Sequence, residues 1–317
     1  MTRIDKPVFG MDTMSVLVTG SIGIDTIHAP AGSAADVLGG SAVYFAAAAS
    51  LFSPVRFVAV AGGDMPEGFL DPLAAKGNID LSGLEIRGDS KTFRWAGRYH
   101  EDVNERDTLD TQLGVLGEAA PTIPQGFRDT RYVFLANTHP ALQGELLDEL
   151  DNPALVVADT MNLWIDTEAD ALTALLGRID GLVLNDSEAR QLTGRANTVV
   201  AGQEVAKRVR RFVIVKKGEH GSLLFADGRI FALPAYPSAD VVDPTGAGDS
   251  FAGALMGYVA AADKVDPKTL LTGMAYGTVT ASAALEAFSL NALAKATRAD
   301  IDRRFKEFLE MTQIDSA

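Results

Sequence analysis

Short aliphatic runs return along the chain, each set apart from the next by a longer stretch of helical character. They are "SVLVTGSI" (Ser15 to Ile22), "VRFVAVAG" (Val55 to Gly62), "YVFLAN" (Tyr132 to Asn137), "ALVVADT" (Ala154 to Thr160), "GLVLND" (Gly181 to Asp186) and "RFVIVKKG" (Arg211 to Gly218). Their apolar residues are consecutive rather than alternating, which suits strands covered on both faces. Segments such as "GSAVYFAAAASLF" (Gly40 to Phe52) and "SEARQLTG" (Ser187 to Gly194) supply helices between them. This alternation predicts a three-layer α/β body with a mainly parallel central sheet. The 317 residues, 47% of them hydrophobic, can fill one large core. With no internal repeat and no low-complexity linker, a single domain over 1–317 is expected.

One segment breaks the rhythm. "KTFRWAGRYHEDV" (Lys91 to Val103) alternates with period two. Phe93, Trp95, Gly97 and Tyr99 share one face of a strand; Arg94, Ala96, Arg98 and His100 share the other. The pattern predicts an antiparallel ribbon inserted into the α/β body, with an aromatic face that needs a partner.

Composition removes several function classes. Net charge is −14, and the densest basic stretch, "AKRVRRF" (Ala206 to Phe212), is short enough to be a solvated helix end. A nucleic-acid surface is not expected. The chain has no cysteine and four histidines without an HExxH arrangement, so disulfides, thiolate chemistry and a zinc site are not expected. The first residues, "MTRIDKPVFGMDTM", lack a signal-type apolar core, and no apolar run approaches the roughly 18 residues of a membrane span. A cytoplasmic location is the expectation.

The stretch that carries chemistry is "VVDPTGAGDSFAGAL" (Val241 to Leu255). A helix start leaves backbone N–H groups unpaired and carries an effective charge of about +0.5. Gly246, Ala247 and Gly248 would let an anion approach those N–H groups closely. Asp249 in the same turn has a plain reading as a helix cap. A cap, however, has no need of the Asp-Pro-Thr and Gly-x-Gly around it. The chemical reading is that the N–H groups hold a transferring phosphoryl group while Asp249 takes a proton from the attacking hydroxyl.

"DPTGAGDSFAGAL" resembles the C-terminal signature of the ribokinase/PfkB-type carbohydrate kinase family, through Asp243, Pro244, Thr245, Gly246, Ala247, Gly248, Asp249 and Phe251. The resemblance runs in order from about Ser15 to Ala284. It implies a ribokinase-like fold with a small β lid, formed around 26–39 and 91–115. It implies an ATP-dependent kinase acting on a primary hydroxyl, with Asp249 as base. Asp25 in "VTGSIGIDTI" matches the carboxylate that holds acceptor hydroxyls, and Gly39 and Gly40 match the N-terminal Gly-Gly signature. Asn185 and Glu188 in "LNDSEARQL" match the family's Asn-x-x-Glu, placed near magnesium and the ATP phosphates, largely through water. Lys216, Gly218 and Gly221 in "VKKGEHGSLLF" match the strand and loop beside the nucleotide. "GMAYGTVTASAAL" (Gly273 to Leu285) resembles the helix that closes over adenine. A potassium ion is implied beside Asp243 and Thr245, with carbonyls near Ala281 to Leu285. Lids of this family often pair between subunits, so a homodimer through the lid is a further implication.

The chain also departs from the pattern. Tyr44 stands where relatives carry an Asn that binds sugar hydroxyls, and Lys216 and Lys217 stand where many have neutral residues. "ADTMNLW" (Ala158 to Trp164) follows only loosely the Asp-x-Asn element of some sugar-acid kinases, and Asp64 in "AVAGGDMPEG" has a structural reading. A P-loop is absent, and "GAGDSF" puts Phe251 at the third glycine of a dinucleotide fingerprint, against nicotinamide chemistry. Two acceptors compete. Asp25 with Arg98, on a ribbon face turned to the acceptor, suits a sugar or sugar acid. Tyr44, Phe45 and the aromatic face suit a nucleoside base. The sugar is the first expectation; the alternative of another class is a catalytically silent sugar- or nucleotide-binding regulator.

Overall fold

The computed structural model describes residues 14–313. Nine strands form one sheet: β1 (Val16–Thr19), β4 (Val55–Gly62), β5 (Ile79–Arg87), β8 (Tyr132–Leu135), β9 (Leu155–Asp159), β10 (Gly181–Asn185), β11 (Phe212–Lys216), β12 (Ser222–Ala226) and β13 (Arg229–Leu233). Their order is β13-β12-β11-β10-β9-β8-β1-β4-β5. From β5 to β11 every pairing is parallel; β12 and β13 add an antiparallel margin. The six aliphatic runs become β1, β4, β8, β9, β10 and β11, as their burial on both faces requires.

Helices cover the two faces and divide the core. On one face Val16, Val18, Phe57 and Phe134 pack against the helices Ser41–Ala49 and Ala247–Ala262, with Tyr44, Phe45, Leu255 and Met256 between the layers. On the other, Leu17, Val133, Val156 and Leu182 meet the helices Pro140–Asp148 and Ala169–Leu176. The helix Pro267–Ala284, which carries most of "GMAYGTVTASAAL", packs outside Ala247–Ala262.

The ribbon belongs to a second sheet of four strands: β2 (Gly23–Ala29), β3 (Gly32–Gly39), β6 (Phe93–Tyr99) and β7 (Arg106–Gln112), in the order β3-β2-β6-β7. It is mixed rather than purely antiparallel, because β6 runs parallel to β2 and antiparallel to β7. Asp64, at the end of β4, accepts the Thr92 N–H at 2.7 Å and so ties the start of β6 to the body. Parallel strands leave their C-terminal ends free to carry loops that bind ligands. The small sheet stands at that end: β1 leads into β2, and β3 ends at Gly39, two residues before the helix start at Ser41.

Candidate active site

Asp25 sits on β2 with only 3% of its surface exposed. Gly39, on neighbouring β3, makes room for it: a Cβ there would lie 1.9 Å from Asp25 Oδ2. Gly40 caps the helix Ser41–Ala49 at φ 104°, left-handed backbone that favours glycine. Ser21 and Ser41 lock this turn, since Ser41 N–H donates to Ser21 Oγ at 2.9 Å and Ser21 N–H donates to Ser41 Oγ at 3.1 Å. Asp25 Oδ1 is buried with no hydrogen-bond partner, and so is the Tyr44 hydroxyl. Both point to a polar ligand.

The Gly-x-Gly turn is braced from below. Asp243 is 1% exposed and accepts two backbone N–H groups, those of Thr245 and Ser289, each at 2.9 Å. The chain then turns through Gly246 at φ 75°. A Cβ on Gly246 would come within 2.3 Å of the Tyr44 ring, so this residue must lack one. The helix Ala247–Ala262 begins there with no side chain capping it, and Asp249 is in its first turn. Ala247 N–H donates to Pro244 C=O at 3.3 Å, and the next two N–H groups, of Gly248 and Asp249, bond no carbonyl one turn earlier.

Asn185 and Glu188 meet as the sequence spacing implied, and they form a capping box. Glu188 N–H donates to Asn185 Oδ1 at 2.8 Å, and Asn185 N–H to Glu188 Oε2 at 2.7 Å. The start of the helix Asp186–Thr193 thus fixes a buried carboxylate at the C-terminal end of β10. Lys216, the last residue of β11, reaches Asp159 at 3.5 Å; its Nζ lies 2.8 Å from where a Gly248 Cβ would be. Gly218 and Gly221 bound the following turn, closed by Lys217 N–H on Gly221 C=O at 2.8 Å.

Carboxylates dominate the field here. Burial raises Asp25 to about 7, helped by Asp243 and Asp249. Asp249 also rises to about 7, through desolvation and then Asp159, against the opposing Lys216 and Arg106. Glu188 rises to about 7, again through burial first and Asp159 second. Lys216 is the buried cation among them: burial pulls it down, but Asp159, Glu188 and Asp249 more than offset this. Crowded carboxylates of this kind favour the approach of cations. Among the described residues no group of three or more His, Asp or Glu side chains is arranged to hold a metal directly. Glu188 suits magnesium held through water, because the ion would relieve a carboxylate that burial and Asp159 both disfavour.

The structure thus brings Asp25, Gly39, Gly40, Tyr44, Asp243, Thr245, Gly246 to Asp249, Glu188 and Lys216 close together at the C-terminal end of the sheet. Arg98 is not among them: it is exposed, while the opposite face of β6 turns inward. Tyr99 is buried there, and its hydroxyl lies 3.1 Å from Thr245 Oγ1. The expected order of the two faces is reversed, because burying the aromatic residues costs less than burying Arg94 and Arg98. Asp159 and Arg106 are residues near the site to which the sequence reading gave no role, whereas Tyr99 belongs to the aromatic face it had offered to a base.

The profile of the pfkB family carbohydrate kinases matches residues 15–296. A cytidine kinase of Thermococcus kodakarensis is 30% identical over 254 residues, 77% of this chain and 88% of the relative. A 2-dehydro-3-deoxygalactonokinase of Haloferax volcanii is 31% identical over 156 residues, 47% of each chain. The Burkholderia thailandensis nucleoside kinase solved with inosine has the same fold, with a TM-score of 0.74 at 22% identity, covering 93% of this chain and 99% of that one. The chain belongs to the pfkB carbohydrate kinase family and is an ATP-dependent phosphotransferase with an alcohol acceptor. Among the described residues no helix is long and apolar enough to cross a membrane.

Proposed function

We propose that the acceptor is a nucleoside, phosphorylated on the primary hydroxyl of its ribose. The observation that carries this is the buried, unpartnered Oδ1 of Asp25, close enough to Asp249 at the helix start for the two charges to interact. Asp25 accepts ribose hydroxyls and thereby directs the primary hydroxyl at Asp249, which takes its proton. N–H groups of Gly246 to Asp249 hold the transferring phosphoryl oxygens in a fixed array that needs no reorganisation. Asn185 and Glu188 face magnesium and the ATP phosphates, with Lys216, Gly218 and Gly221 on the nucleotide side. Magnesium, when bound, supplies charge neutralisation to the phosphates.

The base of the nucleoside stacks against inward-facing rings. Phe93 lies near Asp25: a Cβ on Gly23 would be 2.7 Å from Asp25 Oδ1 and 3.3 Å from Phe93 Cδ1. Tyr99 continues this lining, and aromatic faces of this kind favour a planar ring. The cytidine kinase of T. kodakarensis supports the same choice. A sugar acid is the second reading, favoured by the H. volcanii relative. With Arg98 on the exposed face, that reading loses the cation the sequence had offered it. A coupled ADP-release assay across cytidine, inosine, adenosine, pentoses, hexoses and 2-keto-3-deoxy acids decides. Turnover is expected on a nucleoside. Turnover confined to the acids or the free sugars, or on no member of the panel, overturns the nucleoside.

The same reading places a potassium ion beside Asp243 and Thr245, close to the Leu285 carbonyl that accepts Val242 N–H at 2.8 Å. Hard oxygen donors suit an alkali cation. Turnover is expected to be faster in potassium than in tetramethylammonium chloride at equal ionic strength; equal rates would remove the ion.

A further inference from the structure

The ring of Tyr44 has a structural task that its hydroxyl does not share. Tyr44 lies in the opening turn of the helix Ser41–Ala49, its N–H donating to Gly40 C=O at 3.3 Å, and it is 1% exposed. Its ring packs on the Gly246 turn, where a Cβ would lie 2.3–2.4 Å from Tyr44 Cγ, Cδ1 and Cδ2. Phenylalanine has those same atoms. The hydroxyl, at the far end of the ring, is buried and bonds nothing. A hydroxyl buried without a partner costs stability, so packing alone would favour phenylalanine here.

The groups around the hydroxyl narrow what it is for. Burial pushes the Tyr44 phenol well above its ordinary range, and Asp243, Asp25, Tyr99 and Asp249 push it further. The phenol therefore keeps its proton and is a donor among acceptors. Most of those acceptors are engaged. Asp243 spends Oδ1 on Thr245 N–H and Oδ2 on Ser289 N–H, and the Tyr99 hydroxyl pairs with Thr245 Oγ1 at 3.1 Å. Asp25 is the exception, because its Oδ1 is buried and unpartnered. A free O–H and a free carboxylate oxygen thus stand close enough for their charges to interact, yet neither bonds the other. They come from different layers: Tyr44 from a helix of the main body, Asp25 from β2 of the small sheet. Both are satisfied by a group that accepts from one and donates to the other. A hydroxyl does this, whereas a carbonyl only accepts and an ammonium only donates.

We propose that Tyr44 and Asp25 read one secondary hydroxyl of the acceptor between them, Tyr44 O–H donating to its oxygen and Asp25 Oδ1 accepting its hydrogen, so that the enzyme selects a ribonucleoside over the deoxynucleoside that lacks this group. The proposal rests on the nucleoside reading and narrows it to a sugar class. A deoxynucleoside keeps the primary hydroxyl for Asp249 and keeps its base, so binding it leaves both buried groups unpaired with no other loss. Sites that bond a substrate hydroxyl reject the analogue lacking it by about 10⁴–10⁵-fold for this reason.

Two measurements test this, and the first needs no acceptor. Tyr44→Phe keeps the ring and deletes only the unpaired hydroxyl, so it is expected to melt at or above the temperature of the unaltered chain. A clear drop would reveal a partner for the hydroxyl inside the protein and overturn the proposal. The second is kcat/KM by ADP release at pH 8, above the value of about 7 to which burial pushes Asp25, so that Asp25 is an acceptor. Cytidine, inosine and adenosine are each compared with their 2′-deoxy and 3′-deoxy forms. In the unaltered chain one of the two deletions is expected to cost about 10⁴-fold. Tyr44→Phe is expected to lose about tenfold on the ribonucleoside and less than about twofold on that deoxy form, so the ratio narrows. A tyrosine that only fills space would lower both alike, and a fixed ratio overturns the proposal. Turnover of both deoxy forms at the ribonucleoside's rate overturns it too, with the nucleoside reading left standing. Turnover on no nucleoside removes that reading, and the proposal with it.

Discussion

Asp249→Asn is expected to lower kcat by about 10²–10⁴-fold while the acceptor KM changes little, since a positioned base is worth about that much. Asn keeps the shape of the side chain and its place in the first helical turn, so fold and acceptor binding should survive. What disappears is the ability to take a proton. The pH dependence carries the same assignment. Asp249 is pushed up to about 7, with desolvation as the largest cause and Asp159 next. A base works when deprotonated, so kcat/KM should climb as pH rises toward 7 and level off above it. Glu188 and Asp25 sit near the same value, so the limb belongs to the cluster, not to one residue. Near-normal turnover by Asp249→Asn would remove the base from this position.

The sheet could be read from sequence because burial on both faces leaves no polar positions to blur a run such as "GLVLND". β5, "IDLSGLEIR", carries no such run, and β13, "RIFAL", carries a short one that is mostly exposed. They are the two edges of the sheet, where partner strands rather than composition define them. The Gly-x-Gly turn was legible because a left-handed Gly246 pressed on Tyr44 tolerates no substitute. Period two in "KTFRWAGRYHEDV" showed which residues share a face, but a period has no sign. The available sign was Gly97, a gap between two aromatic residues on one face that only an overlying ring explains. Arg106 could not be told from Arg98 by composition. Only the β6–β7 register, with Leu109 passed over at an irregularity, sets it opposite Tyr99. Asp159 had a signal that went unused: a carboxylate ending an otherwise apolar parallel strand is placed where ligands bind.

Asp25 should show the strongest opposition between binding and stability in the molecule. If its carboxylate accepts two acceptor hydroxyls, each charge-assisted bond contributes about 1.5–3 kcal/mol. Asp25→Ala should then lower kcat/KM by about 10²–10⁴-fold. The same carboxylate is 3% exposed and pushed from 3.8 to about 7, mainly by burial and then by Asp243 and Asp249. A carboxyl whose folded value lies above its unfolded one stabilises the fold below about pH 4, and that contribution is lost as pH rises toward 7. Over roughly three pH units the loss is on the order of 4 kcal/mol. Asp25→Asn keeps the shape without the charge, so it should escape that loss. The variant is expected to melt higher than the unaltered chain at pH 8 and to differ little near pH 4. Hydroxyl donors from a bound acceptor would satisfy Asp25 Oδ1, so acceptor should raise the melting temperature of the unaltered chain more than that of Asp25→Asn. Melting curves at the two pH values, with and without the acceptor that the ADP assay identifies, check both halves. An Asp25→Ala enzyme within tenfold of normal kcat/KM would take Asp25 out of acceptor binding. An Asp25→Asn protein no more stable at pH 8 would show that its neighbours already relieve the charge.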